Sequence, residues 1–417
     1  MSHAVLERVY RREYGRVVSL LAARVGLQNV EAVEDAVQAA WTSALAVWPN
    51  AGVPDEPAAW LFRVAHNRLL DHLRTRLRRA RILERNADAE PAPPPDAFLA
   101  GEVPDAQLIM LFACCDEAVP LESQRVLALE LLFGFRVGEV ATHLFMREAN
   151  VYKRLQRGRA VLRRVGLRTE SLSDDDAAQR LPAVLSVLHT VFNEGYASLR
   201  ASVGMREDVC CEAIRLATLL AEHPRGRTPQ AAALLALMHL HHARLPARGD
   251  GVGGLLLLSE QDRTRWDADE LRKGMHWLAR SATGHDFSRY HAEAGIAAEH
   301  GLAPTFAQTR WDRVVSCYAL LERTAPSALH RLGHAIALAE WKGPEAGLAA
   351  VRATAPPSWL AGSFPWFSVL ADLHRRCGNL REAARHRTLA LDAAPTPAVR
   401  ALLQRRLGDG PQASNDD

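Results

Sequence analysis

The amino-acid sequence predicts an all-α protein with two small helical domains, the second containing a helix-turn-helix, followed by a helical-repeat domain. Apolar residues recur at spacings of three and four along almost the whole chain, whereas the alternation typical of strands is almost absent. Two strongly basic blocks and one proline-rich segment divide the chain into parts of different character. With 417 residues, 48% of them hydrophobic and 24% charged, the chain is long enough for several folded domains.

The composition also excludes several classes of protein. No apolar run approaches the length of about 18 residues that a membrane-spanning helix needs. The first residues carry charge where a secretory signal requires an apolar run. The six cysteines form neither a CxxC pair nor a metal-ligand spacing. We therefore expect a cytoplasmic protein in a reducing compartment, with no membrane contact, metal or cofactor.

Two segments mark the expected domain boundaries. Residues 90–96 are rich in proline and cannot continue a helix, and residues 171–176 are polar and acidic. The expected parts are a first domain over residues 1–87, a proline-rich linker over 88–104, a second domain over 105–170, a helical-repeat domain over 177–407 and a flexible tail over 408–417.

The first domain contains a helix over residues 31–48 with one apolar stripe. The stripe is made of residues at helical spacing, namely Val33, Val37, Ala40, Trp41, Ala44 and Trp48. The acidic and amide residues fall largely outside it: Glu31, Glu34, Asp35 and Gln38. Such a face is either solvated or offered to a partner.

A basic helix follows the turn-rich loop over residues 50–57. Between Arg63 and Arg85 the chain carries eight basic residues against two acidic ones, a net charge of +6. Trp60 precedes this block on the same helix, and His66 and Asn67 are interleaved with its basic residues. The candidate contact residues are Arg63, His66, Asn67, Arg68 and Arg74. This combination suits single-stranded or melted DNA, which needs phosphate neutralisation and base stacking; a solvated helix face is the alternative.

The second domain contains the helix-turn-helix pattern, over residues 137–156. The positions that would pack the two helices together are Val140, Ala141, Leu144, Met146, Val151 and Leu155. Phe145 occupies the turn position that usually holds glycine. From Arg147 to Arg168 the net charge is +7, from eight basic residues and one acidic residue. The second helix would present Arg147, Asn150, Tyr152, Lys153, Arg154, Arg157 and Arg159 to a major groove; a basic hairpin without DNA is the alternative.

The C-terminal half reads as helix after helix, with weak internal periodicity. The clearest unit begins near Phe364 and has the large, small and turn residues of a tetratricopeptide repeat, at Leu370, Ala371, Gly378, Ala383, Ala390 and Pro395. Stacked helical hairpins are therefore expected. An all-helical bundle without true repeats remains the alternative.

These residues together resemble the extracytoplasmic-function (ECF) group of bacterial sigma-70-type factors over roughly residues 5–170. The resemblance lies in EDAVQ over 34–38, PAAWL over 57–61, AHNR over 65–68, DHLR over 71–74 and the helix-turn-helix. It implies that the acidic helix face contacts the β′ clamp helices of core RNA polymerase. The resemblance further implies that the basic helix melts and reads the −10 element of promoter DNA, and that residues 105–165 read the −35 element, where the β flap is also a partner.

The C-terminal part resembles the tetratricopeptide-like tail of one ECF subgroup. The resemblance lies in VFNEGY over 191–196, EAIRL over 212–216, LLALM over 234–238 and QDRTRWD over 261–267. We expect this domain to regulate the sigma domains through an intramolecular contact. The candidate contact element spans 248–267, with Asp250, Gln261, Asp262, Arg263 and Trp266, a polar and aromatic set typical of interfaces. Closure of one hairpin is its alternative role.

The rival functions are a conventional helix-turn-helix regulator, a helical-repeat scaffold and an enzyme. A conventional helix-turn-helix regulator would bind duplex DNA without core polymerase and would not need residues 31–85. An enzyme would draw on His239, His241 and His242 near Asp250 and Asp262, but no nucleophile motif, phosphate loop or dinucleotide fingerprint accompanies them. The sequence therefore predicts a promoter-specificity subunit and no catalytic activity.

Overall fold

The computed structural model describes residues 3–83, 102–144, 146–165, 172–196, 207–249, 256–284, 286–353 and 355–408. These residues form α-helices joined by turns and short 3-10 helices, and no strand occurs among them. None of the described helices is both long and apolar enough to cross a bilayer. The chain divides into two compact units: residues 1–194 with 211–227, and residues 195–210 with 228–417.

The all-α prediction is therefore confirmed, and nine helices account for the described parts up to Glu222. They are α1 (His3–Val25), α2 (Val30–Ala51), α3 (Pro57–Leu83), α4 (Val103–Cys114), α5 (Leu121–Leu131), α6 (Val137–His143), α7 (Glu148–Val165), α8 (Asp174–Tyr196) and α9 (Glu207–Glu222).

Helices α1, α2 and α3 pack around a series of aromatic rings. Tyr10 contacts Trp41, Trp41 contacts Trp48, and Trp48 contacts Trp60, with centroids 5.0, 5.5 and 5.3 Å apart and the rings edge to face. Edge-to-face pairs of this kind stabilise beyond the area they bury. All six residues of the predicted apolar stripe on α2 are buried here, as the sequence predicts.

Helix α1 also packs closely against α4 and the end of α5. A Cβ on Gly15 would lie 2.0 Å from the carbonyl oxygen of Leu132, so only glycine permits this approach. Gly134, with φ of 63°, turns the chain after α5 beside the ring of Tyr14. Helices α1 to α3 and the helices that begin with α4 therefore belong to one compact unit.

Parts of α8 and α9 belong to this first unit, although the sequence places a domain boundary at residue 177. Arg180 on α8 forms an ion pair of 2.7 Å with the buried Asp116, and Arg215 on α9 donates a hydrogen bond of 2.9 Å to Gln107. Helix α8 begins at Asp174, within the segment expected to be a linker, and its first turn is acidic, which favours a helix start.

The second unit contains ten further α-helices in its described residues. They are α10 (Pro229–His242), α11 (Ala268–Ser281), α12 (Arg289–Leu302), α13 (Trp311–Thr324), α14 (Ala328–Lys342), α15 (Pro344–Arg352), α16 (Ser358–Ala361), α17 (Phe364–Arg376), α18 (Leu380–Asp392) and α19 (Pro397–Leu407).

Most successive helices of the second unit pack against each other. Helices α17 and α18 form the hairpin that the repeat pattern predicts: Gly378 turns the chain with φ of 75°, and Ala383 and Ala390 are buried. Small residues at these positions allow the two helices to approach closely.

Candidate functional site

The acidic face of α2 is divided between solvent and the interior of the first unit. Asp35 and Gln38 are exposed and Glu31 is half exposed, but only 4% of Glu34 is accessible. The expectation that Glu34 lies on the solvated side is therefore wrong. The reason is tertiary, because α7 lies against this part of the helix.

Arg159 on α7 holds two carboxylates at once. Its Nη2 donates to Glu34 at 2.9 Å and to Glu130 on α5 at 2.8 Å. One turn further along, Nη1 of Arg163 donates to both oxygens of Glu31 at 2.9 Å. Two of the four residues expected to bind polymerase are thus bonded to α7.

The buried carboxylates titrate above their ordinary range. Burial, and then the neighbouring Glu130 carboxylate, raise the pKa of Glu34, and burial raises the pKa of Glu130. The second oxygen of Glu34 is buried with no hydrogen-bond partner among the described residues. This environment favours the protonated form of Glu34.

Helix α7 presents its expected DNA-binding residues on two different sides. Arg147, Asn150, Lys153 and Arg157 share one exposed face. Arg154 lies on the same side, where it donates to Glu122 at 2.5 Å. Tyr152 is exposed on another side, and Arg159 faces α2 and α5, so Arg159 is not available to a groove in this conformation.

The six positions expected to pack the helix-turn-helix together are buried or half-buried. Val140, Ala141, Val151 and Leu155 are buried, while Leu144 and Met146 are half-buried. Phe145 lies outside the described residues. Glu139 caps the start of α6 by accepting the Arg136 backbone N–H at 2.8 Å, and Arg11 on α1 bonds to the same carboxylate group.

Helix α3 places three of its five candidate residues on one exposed face. Arg63, Asn67 and Arg74 lie on it, and Arg68 donates to the Ser43 hydroxyl on α2 at 3.1 Å. His66 is buried and stacked on Phe62, with centroids 5.4 Å apart, so the expected contact of His66 with DNA is not supported by its position. Its ring falls on the apolar side of the helix.

Two histidines of the row on α10 are bonded to a carboxylate group on α11. His239 and His242 both bond through Nδ1 to Glu270 on α11, at 2.7 and 3.2 Å, and Lys273 donates to the other oxygen of Glu270 at 2.7 Å. These three hydrogen bonds lower the pKa of Glu270 despite its partial burial. Asp262 instead bonds to Thr264, and Asp250 lies outside the described residues.

The proposed contact element is largely turned into its own unit. Gln261 and Trp266 are buried, and Arg263 bonds to the carbonyls of His300 and Ala303 while stacking on Trp266. Of the candidate residues in the described part of this segment, Asp262 is exposed. The expectation of surface anchors is wrong for Gln261 and Trp266, because the loop packs its aromatic residue inward.

Two residues that sequence reasoning missed are Glu130 and Arg163. Glu130 lies 29 residues before Arg159, and Arg163 lies 132 residues after Glu31. No local spacing connects such partners. A local signal for Glu130 is its position in the otherwise apolar second half of α5.

Two protein families match parts of this chain, and one of the matches covers most of α1, α2 and α3. Residues 9–79 match the sigma-70 region 2 family, and residues 180–282 match a family of unknown function (DUF6596). The first match supports a sigma-70-type factor, and members of that class are transcription initiation factors rather than enzymes.

One relative shows the family of the whole chain. The protein is 32% identical over 360 residues to an uncharacterized protein of Rhizobium meliloti (strain 1021), an alignment that covers 85% of this chain and 84% of the relative. The chain belongs to the same family as that protein. No solved structure significantly matches the present chain.

Proposed function

We propose that this protein is an RNA polymerase sigma factor of the ECF type that binds core polymerase and directs promoter-specific initiation, with a fused C-terminal regulatory domain. The match of residues 9–79 to sigma-70 region 2 carries the proposal. The site fits it, because α2 has an acidic face and α3 has an exposed basic and amide face.

In this proposal Asp35 and Gln38 make the first contacts with the β′ clamp, since both are exposed. Glu31 and Glu34 join them only after Arg159 and Arg163 have left. Core polymerase and α7 therefore compete for the same side of α2, and the described conformation is a closed one.

The proposed DNA contacts follow the exposed faces. Arg63, Asn67 and Arg74 would contact the −10 region, and Arg147, Asn150, Lys153 and Arg157 the −35 duplex. Guanidinium, ammonium and amide groups bind phosphates and base edges in these ways. Arg159 would join the DNA contacts only in an opened form.

The test is core binding by the full chain with Asp35→Lys and Gln38→Lys together. The two positions are exposed, so folding should be unaffected, whereas like charges should meet at the clamp and lower core affinity by at least about tenfold. Glu117→Lys, an exposed charge reversal between α4 and α5, is the matched control. Equal core affinity in all three proteins, measured by co-purification and run-off transcription, would contradict the proposal.

One observation favours a second candidate, a helix-turn-helix regulator that acts without polymerase. The face of α7 with Arg147 and Lys153 is exposed while part of the acidic face of α2 is covered. A regulator of this kind would bind a promoter fragment specifically without core enzyme, and its activity would not respond to Asp35→Lys.

A further inference from the structure

A cavity of about 530 Å³ lies within the second unit. Residues of α12, α13, α14, α17 and α19, Phe306 and the segment 257–260 line it, and it is open to solvent on one side. Sites for small molecules typically measure about 300–1,000 Å³ and combine apolar walls with a few polar groups. The size of this cavity therefore suits a small organic molecule.

One wall of the cavity is aromatic. Phe306 and Trp311 meet edge to face at 5.1 Å, and Tyr318 lies further along α13. A Cβ on Gly333 would lie 2.6 Å from the Tyr318 hydroxyl, so glycine at this position of α14 makes room for the ring. The wall offers flat apolar surface to an aromatic or aliphatic body.

The charged part of the lining carries more guanidinium than carboxylate groups. Four arginines and three carboxylates line the cavity, a formal excess of one positive charge: Arg375, Arg376, Arg405 and Arg406, with Glu260, Glu340 and Asp372. Asp372 alone is shared by Arg375, Arg376 and Arg406, at 2.9, 3.8 and 3.9 Å. Three guanidinium groups around one carboxylate leave donors for a further anion.

His300, whose ring meets Trp311 edge to face with centroids 5.3 Å apart, is a second sign of a ligand. It lines the cavity, is only 8% accessible, and its Nδ1 is buried without a hydrogen-bond partner among the described residues. Burial and the nearby Arg244 and Arg263 lower the pKa of His300 to about 4, so the ring is neutral near pH 7. A buried polar atom left unsatisfied is costly, and a bound polar group would relieve that cost.

We propose that this cavity binds a small organic anion. Its carboxylate, sulfonate or phosphate group lies against Arg375 and Arg406, and its apolar body lies against Phe306, Trp311 and Tyr318. Binding of such a ligand would allow the C-terminal domain to respond to the concentration of a small molecule. The inference rests on the second unit alone and does not depend on the sigma function.

The probe is 8-anilinonaphthalene-1-sulfonate, an aromatic anion, titrated into the full chain. N-phenyl-1-naphthylamine, which has the same rings without the sulfonate, is the matched neutral ligand. We expect one saturable site for the anion. Arg375→Gln with Arg406→Gln should weaken anion binding at least about tenfold and leave the neutral ligand within about twofold, because only the anion uses charged hydrogen bonds.

Two further variants separate the cavity from nonspecific binding. Arg385→Gln removes an exposed arginine of α18 that does not line the cavity, and it should leave both affinities unchanged. Trp311→Phe alters the proposed aromatic wall, and at saturating probe it should reduce energy transfer from tryptophan to the bound anion. If the double variant does not fold, as judged by thermal unfolding, Arg405→Gln replaces it.

The proposal is overturned by any of three results. They are unchanged anion binding in the arginine variants, equal loss of the anionic and neutral ligands, and energy transfer that does not respond to Trp311→Phe.

Discussion

Arg159 lies between two carboxylates, Glu34 on α2 and Glu130 on α5, and its side chain is mostly buried. Removing Arg159 leaves both carboxyl groups buried without their common hydrogen-bond donor, which costs about 3–5 kcal/mol where they are ionised. Arg159→Leu should therefore lower the free energy of unfolding by about this amount near pH 8, measured by urea denaturation. Arg157→Leu, an exposed position of the same helix, should stay within about 0.5 kcal/mol of wild type; equal effects of the two would contradict the buried bridge.

Glu34 also predicts how stability depends on pH. Its raised pKa means that the folded chain keeps the proton at pH values where the unfolded chain, with a glutamate pKa of about 4.3, has lost it. Over that window the folded state binds more protons, so this contribution to stability is present at low pH and falls as pH rises. Glu34→Gln removes the titration. Its stability relative to wild type should increase from about pH 5 to about pH 8 in denaturation experiments, whereas a constant difference would show that Glu34 is solvated.

At the scale of elements, the contact between α2 and α7 joins the helix proposed to bind polymerase to the helix proposed to bind the −35 duplex. Arg163 bonds to Glu31 at the edge of this contact, where both side chains are about half exposed. Arg163→Glu should therefore loosen the contact with little loss of stability and leave the acidic face of α2 unchanged.

If core polymerase competes with α7, Arg163→Glu should raise core affinity severalfold. Arg164→Glu makes the same change of charge at the next residue, which is exposed and turned about 100° away on the helix, and should not have this effect. Fluorescence anisotropy with labelled full-length chain and core enzyme would measure both. Identical affinities for the two variants would mean that the contact does not limit polymerase binding.

The same elements show what the sequence can predict. The stripe on α2 and the hairpin of α17 and α18 follow from local periodicity and from Gly378, and both are present. The burial of Glu34 depends on Arg159, 125 residues away, and the burial of His66 depends on the side of α3 that meets the core. Local pattern assigns charged and polar residues to solvent, and it is wrong where a distant helix supplies the partner.

At the scale of the whole molecule, the first unit ends later than the sigma-like region. Its residues extend through 194 and resume at 211–227, and Leu108 and Phe112 on α4 lie close to Leu172, His223 and Arg225. Residues of α8 and α9 are thus part of the body that contains both proposed recognition surfaces. A chain that ends at residue 170 lacks the residues that lie against Leu108 and Phe112, whereas a chain that ends at residue 227 keeps them.

This difference gives a test of where the regulatory domain begins. Exposing two side chains such as Leu108 and Phe112 costs about 3–6 kcal/mol, so a 1–170 fragment should unfold at least about 6 °C below a 1–227 fragment. Run-off transcription with core enzyme should then compare the 1–227 fragment with the full chain. A change in promoter output between these two proteins would be the effect of the second unit alone, free of damage to the first.

Equal unfolding temperatures for the two fragments would contradict the packing of α8 and α9 within the first unit. Equal transcription from the 1–227 fragment and the full chain under every condition would contradict the regulatory role.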